Sequence, residues 1–421
     1  MNRLSNSRRS NNRKLLLQSV LLLIGVFISL SCREASTNKL RFAHFWSEPA
    51  QRIAIDSLVA GFHREHPEIE VEVTELSWND GKTKLMLGFN SETAPDILEL
   101  GSDWVPQFSS SGVLLNLTMT DDSSLRAHMA TAPGYAIPLG RWNRDMFAMP
   151  WLLDTRVMFV NDDLVQKSGS DTTRPLLKDW SSVERVAKAI SAHGDAGCGV
   201  NGSDEHRLYK KFLPFVWSNG GEIFSEDGKP TLSRPENIEA LREYVAQEDY
   251  GKLESQKNLD DAFKRGTLGI WFSGSWMIKP LAKASFRWHT ELVPGNNGHH
   301  GTSFAGGEYL AINAKTKMKP HAIQFLAYVT RPENQLRFAK AVNMFPADTA
   351  GQLDSFYLNR KEGAVFGEQL RYARMTPVLS QWLEVESIIE EEVARALYHK
   401  ESPERAMTSA QARVEELLRE P

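Results

Sequence analysis

Two short stretches carry side chains suited to ligand chemistry. Trp46-Ser47-Glu48 and Ser102-Asp103-Trp104 each set an indole beside a carboxylate and a hydroxyl. Flat C–H surface stacks on indole, and hydroxyl groups donate to carboxylates and amides, so this grouping suits a polyhydroxylated ligand such as a sugar. Eleven tryptophans are enough to line a cleft. Trp is highly buried on average, so most of them are expected to be core or surface anchors. Trp46 and Trp104 stand apart because each follows a predicted strand. Trp276 follows Ser273-Gly274-Ser275, where small residues would let a ligand approach the backbone; its competing role is a core ring beside Ile270 and Trp271.

The elements that must position these residues are legible around them. Leu40 and Phe42 begin a short strand. Ile55, Leu58, Val59 and Phe62 follow at the i, i+3, i+4, i+7 spacing of a half-buried helix, which Pro67 ends. Ile69, Val71 and Val73 alternate with Glu68, Glu70 and Glu72, giving a strand with one wet face. This β-α-β order predicts a parallel sheet covered by helices, and the apolar run Ile97 to Leu100 adds a strand. In such a sheet, ligands collect at the carboxyl ends of the strands, where Trp46 and Trp104 fall. Near the C-terminus, Ile388 to Leu397 and Pro403 to Leu418 read as helices, the latter with Ser402 as N-cap.

At 421 residues, with 41% hydrophobic and 24% charged, the chain is too long for one core and is expected to form two domains. Arg3, Arg8, Arg9, Arg13 and Lys14 are followed by an uncharged, mostly apolar run from Leu15 to Leu30 and then Ser31-Cys32. That is an export signal, too short for a comfortable membrane span. Beyond it 44 basic residues face 53 acidic ones, a net −9 that argues against a nucleic-acid or anionic-membrane surface. Cys32 and Cys198 cannot build a disulfide framework. A cysteine behind a small residue at the end of such a run resembles the bacterial lipobox, although Ser29 stands where a leucine-like residue is usual. The resemblance makes Cys32 a lipidation site at the head of the mature chain, with 1–31 removed and 32–38 a tether outside the cytoplasmic membrane, periplasmic or at the cell surface.

Five further stretches, in order, make the chain from about Lys39 onward resemble the solute-binding proteins of ATP-binding-cassette sugar importers, the group that includes maltose-binding protein. They are Pro95-Asp96-Ile97-Leu98 to Leu117; Met149-Pro150-Trp151 through Asp154-Thr155-Arg156-Val157 to Leu164; Trp217-Ser218-Asn219-Gly220-Gly221 with Asp227-Gly228-Lys229; Phe263-Lys264-Arg265-Gly266 through Ser273-Gly274-Ser275-Trp276; and Gly306-Gly307-Glu308-Tyr309 to Ile312, followed by a helix from Pro320 to Val329. The resemblance implies an α/β, two-lobed periplasmic-binding-protein-like fold of type II. Lobe 1 is expected from 39–147 plus 306–346 and lobe 2 from 148–305 plus 347–421, with crossings near Phe147 to Trp151, Pro294 to Gly306 and Phe345 to Asp348.

It further implies a ligand-binding set of Trp46, Glu48, Asp103, Trp104, Trp151, Asp154, Trp217, Ser273, Trp276, Gly307 and Glu308. The implied partners are a carbohydrate, with an oligosaccharide favoured, and the transmembrane subunits of a permease that reads the ligand-closed shape. No catalysis, cofactor, metal or nucleic acid is expected, the membrane is met through the lipid anchor only, and the protein is expected to be a monomer. The competing class is an exported glycan-degrading enzyme, because Asp103 with Asp154 or Glu308 could pair as acid and base. A third reading keeps the fold and binds a metal chelate, polyamine or peptide.

Other signals read as structural. Gly197-Cys198-Gly199-Val200-Asn201-Gly202 fits a dinucleotide fingerprint by letter but follows a helical stretch, so a turn and short strand is expected. Glu390-Glu391-Glu392 reads as a solvated helix face.

Overall fold

The computed structural model describes residues 39–202, 204 and 207–419. The expected export signal (1–31), Cys32 and the expected tether (32–38) lie outside the described residues. The strands are β1 (Lys39–His44), β2 (Glu70–Glu75), β3 (Ile97–Gly101), the short pair β4 (Arg141–Trp142) and β5 (Asp145–Met146), β6 (Ala148–Asn161), β7 (Ala196–Asn201), β8 (Lys252–Glu254), β9 (Leu268–Gly274), β10 (Trp288–Glu291), β11 (Ser303–Ile312), β12 (Phe345–Pro346) and β13 (Ala373–Arg374). Among the described residues one sheet runs β2-β1-β3-β11-β6-β9-β7-β8, with β10 and β12 on β6 and β13 on β11.

The expected parallel arrangement holds towards the two ends, where β1 pairs with β3 and β7 pairs with both β8 and β9 in parallel. It fails at the centre. β11 is antiparallel to both β3 and β6, and β6 is antiparallel to β9, because β6 carries the chain out of the first half of the sheet and β11 brings it back. All fourteen residues of β6 are buried. It pairs with β11 from Ala148↔Ala311 to Thr155↔Ala305, then exchanges to β9 at Arg156↔Gly274. β12 joins it at Leu153↔Phe345 and Leu152↔Pro346, so β11 and β12 flank the same stretch of β6.

Helices cover each half. Pro49–Glu65, Lys319–Val329 and Pro332–Val342 enclose a core of Phe42, Phe62, Trp151 and Phe325. A second core gathers Phe159, Phe263 and Trp271. The largest includes Tyr209, Phe212, Trp217 and Trp382. The C-terminal helices are Trp382–Leu397 and Pro403–Leu417, with the Ser402 side chain accepting from Arg405 N as the cap expected of it. They pack on helices Leu208–Ser218 and Pro235–Ala246, and Gln107 Nε2 donates to Glu384 Oε1 at 2.7 Å from the first half.

The acidic run is not a solvated face. Glu391 is exposed, but Glu390 and Glu392 are buried. Glu390 accepts from Tyr209 N, and Glu392 Oε1 accepts from Ser409 Oγ at 2.8 Å and Arg413 Nη1 at 2.9 Å. The helix is sandwiched, and its carboxylates meet partners distant in sequence. The fingerprint-like stretch is β7, behind helix Trp180–Ser191. A Cβ at Gly197 would lie 2.2 Å from Ala187 O, and one at Gly199 2.5 Å from the Trp271 ring. Those glycines allow close packing.

Candidate functional site

The backbone register assembles a polar row before any side chain is considered. Gly306 of β11 pairs with Asp154 of β6, and Glu308 pairs with Gly101 of β3, two residues beyond Glu99. Side chains alternate along a strand, so Glu99, Glu308, Asp154 and Arg156 share one face of the sheet. Above this face lies a cavity of about 250 Å³. From the ends of β1, β2 and β3 come Trp46, Glu48, Trp78 and Trp104; from the far half come Arg156, Arg207, Lys210, Gln256 and Trp276; Asp154, Gly307 and Glu308 form the floor.

Aromatic rings build one wall. Phe45 stacks on Trp78 with centroids 4.1 Å apart, and Trp104 meets both edge-on at 5.6 and 5.4 Å. Trp46 stands beside them, its amide donating to His44 Nδ1 at 3.1 Å. Burial pushes His44 down to about 4, which keeps it neutral and able to accept. Opposite them, Trp276 donates from Nε1 to Asp260 Oδ2 at 3.1 Å, and the Arg156 guanidinium lies 4.5 Å from its ring centroid.

The charges are mutually held. Arg156 pairs with Asp154 Oδ2, and although burial lowers its pKa to about 10 it stays charged at neutral pH. Lys210 Nζ lies 3.4 Å from Asp103 Oδ1, and Tyr209 donates to Asp103 Oδ2 at 3.0 Å. Glu99 Oε2 accepts from Phe45 N at 2.8 Å, while burial pushes its carboxyl up to about 8. Glu308 is pushed well above the usual carboxylate range, by burial first and then by the nearby charges of Glu99 and Asp103. Asp154 Oδ1, Arg156 Nε and Glu308 Oε2 are buried with no hydrogen-bond partner among the described residues. Buried polar atoms are nearly always satisfied, so these three leave hydrogen-bonding capacity unused beneath the cavity.

Of the residues singled out in the sequence, Trp46, Glu48, Trp104, Asp154, Trp276, Gly307 and Glu308 line the cavity. Four do not. Asp103 is buried behind the lining, where it holds Tyr209 and Lys210. Trp151 is fully buried in a second layer, stacked on Phe338 at 4.5 Å and edge-on to Trp46 at 6.3 Å. Trp217 is a core ring of helix Leu208–Ser218. Ser273 is fully buried and donates to Asp260 Oδ1 at 2.9 Å. The cavity is also lined by Phe45, Trp78, Arg207, Lys210 and Gln256, none of which is among the residues expected to bind ligand. Trp78 follows β2 just as Trp46 follows β1, so the ring-behind-a-strand signal was present for it. Arg207, Lys210 and Gln256 sit at the starts of helices Leu208–Ser218 and Gln256–Lys264, where no local pattern marks a ligand wall.

A cleft floored by strands that serve both halves of the sheet, and walled by side chains from each half, defines a two-lobed binding protein of type II. The chain belongs to the bacterial extracellular solute-binding protein family, whose match covers residues 47–336, and it is a substrate-binding protein of ABC transporters. A binding protein of Brucella abortus is 23% identical over 372 residues, covering 85% of this chain and 88% of the relative. Among solved structures, the GacH receptor of Streptomyces glaucescens, seen in complex with acarbose, matches with a TM-score of 0.82 at 20% identity over 91% of this chain and 98% of the other. UgpB from Mycobacterium tuberculosis, in complex with glycerophosphocholine, matches at 0.77 and 20% identity over 90% and 98%. No helix among the described residues is long and apolar enough to cross a membrane.

Proposed function

We propose that this protein captures a carbohydrate in the cavity above Glu308 and Asp154 and delivers it, by closure of its lobes, to the transmembrane subunits of a permease. The observation that carries this reading is the set of orphaned polar atoms beside indole rings. Sugar hydroxyls donate to Asp154 Oδ1 and the Glu308 carboxyl and accept from Arg156 Nε, while C–H faces rest on the rings. The lobes are 39–147 plus 306–346 and 148–305 plus 347–421, sharing β6 and β11 as hinge strands. Ligand that touches both lobes adds contacts made only on closure, which shifts the population to the closed form. No bond in the ligand changes. The protein acts as a monomer anchored outside the cytoplasmic membrane through lipid on Cys32, which mass spectrometry of the native protein checks.

A thermal-shift screen of the purified protein against mono- and oligosaccharides tests the ligand class. A sugar at 100 times its Kd adds about 2.7 kcal/mol of stability and raises Tm, and a null across the panel removes the carbohydrate reading. The cations Arg156, Arg207 and Lys210 in the lining favour a second reading, a ligand bearing an anionic group, so the panel includes sugar phosphates and glycerophosphodiesters.

A further inference from the structure

We propose that Asp260 and Gly274, neither of which lines the cavity, are the positioning residues that fix Trp276 as a preformed binding platform; the inference rests on the carbohydrate reading of the same cleft. Asp260 lies on helix Gln256–Lys264, and its carboxylate gathers three donors from the end of β9 and the turn behind it. These are Trp271 Nε1 at 2.6 Å and Ser273 Oγ at 2.9 Å on Oδ1, and Trp276 Nε1 at 3.1 Å on Oδ2. An indole N–H can only donate, so two indoles and a hydroxyl on one side chain need a group that accepts everywhere, which a carboxylate is and an amide is not. In Asp260→Asn the amide NH2 must face one of these donors.

Gly274 makes the seat. Its φ of −99° and ψ of 175° are ordinary extended backbone, so glycine is not needed there for conformation. It is needed for space. A Cβ would lie 1.9 Å from Trp276 Cζ3 and 2.3 Å from Cη2, so the indole folds back over its own chain where a methyl would stand. The glycine before Trp276 thus makes room for that residue's own ring. Arg156, the ladder partner of Gly274, completes the clamp with its guanidinium against the ring and its charge held by Asp154. A ring ordered before the ligand arrives loses little freedom on binding, and this is how residues outside the cavity raise affinity.

The test uses the full chain labelled with 5-fluorotryptophan, the Trp276 ¹⁹F resonance being identified by its loss in Trp276→Phe. Gly274→Ala should move or broaden that resonance and leave the Trp271 resonance in place, whereas Asp260→Asn should disturb both. Against the tightest saccharide of the panel, each variant should weaken binding about tenfold or more, and neither should weaken it further in a Trp276→Ala background. A Trp276 resonance unmoved by Gly274→Ala, or a loss of affinity that persists without Trp276, overturns the proposal. If Asp260→Asn does not fold, Gly274→Ala decides, since its backbone is unstrained. If the wild type binds no saccharide, the carbohydrate reading fails, and the ¹⁹F spectra alone decide whether the seat exists.

Discussion

Trp276 enters the cleft half-buried, bonded at its edge and pressed by a guanidinium, and that environment sets what its removal does. A stacking indole that buries roughly 100 Å² on ligand contributes ~2 to 3 kcal/mol at ~25 cal/mol per Å², about 30- to 150-fold in Kd. Trp276→Ala should lose that much affinity by calorimetry on the folded variant; affinity within threefold of wild type would make the ring a core element. Glu99 supplies a second expectation. Its folded pKa, raised by burial to about 8, exceeds the ordinary 4.5, so the folded state holds a proton that the unfolded chain has released, and stability falls as pH rises between those values. Glu99→Gln keeps an acceptor for Phe45 N and removes the titration, so its urea midpoint should decline less than that of wild type from pH 5 to 8. Equal slopes would show that Glu99 does not carry the proton. Among individual residues, position behind a strand marked Trp46 and Trp104, and the same signal was there for Trp78. It could not separate Trp217, which a helix turns into a core, or reveal that Gly274 makes room for its own neighbour, because both depend on contacts formed only after folding.

At the scale of elements, β10 is fastened to the helix after β6 by a histidine held between two acids. His289 Nδ1 lies 2.9 Å from Asp162 Oδ1 and Nε2 lies 3.0 Å from Glu291 Oε1, while Glu291 also accepts from Leu176 N and Leu177 N. Burial alone would discharge the ring, but the bonds to Asp162 and Glu291 outweigh it and raise its pKa above 6.5. The stabilisation is therefore fully present below 6.5 and is lost as pH rises through the folded value. His289→Asn should lower Tm more at pH 6 than at pH 9; an equal loss at both would show that the charged form is not what fastens the strand. Periodicity read β1, β2, β3 and the helix between β1 and β2 from the chain, and Ser402 marked a true helix start. The mixed centre of the sheet was not legible, since a buried run such as β6 carries no sign of its partners. For the same reason Glu390 and Glu392 looked solvated: their bonds reach Tyr209, Ser409 and Arg413, which no local window contains.

For the whole molecule, β6, β11 and β12 lie together where the chain passes between the halves of the sheet, and cavity residues come from both sides of that passage. Closure about these strands should reduce the radius of gyration in small-angle scattering at saturating ligand, and an unchanged radius would remove lobe movement from the mechanism. The ordered family resemblance made the two-lobed plan readable from the sequence. The identity of the ligand was not legible, because what the cavity accepts depends on the placement of atoms such as Asp154 Oδ1 and Glu308 Oε2, which no local pattern fixes. That a carbohydrate binds in this cavity is tested best by calorimetric titration of a saccharide panel into the wild type and into a variant, Trp78→Ala, that removes a half-buried ring of the cavity wall. The expected result is one-to-one binding of at least one saccharide by the wild type, weakened at least about tenfold in the folded variant. No saccharide heat anywhere in the panel, or undiminished affinity without the Trp78 ring, would overturn it.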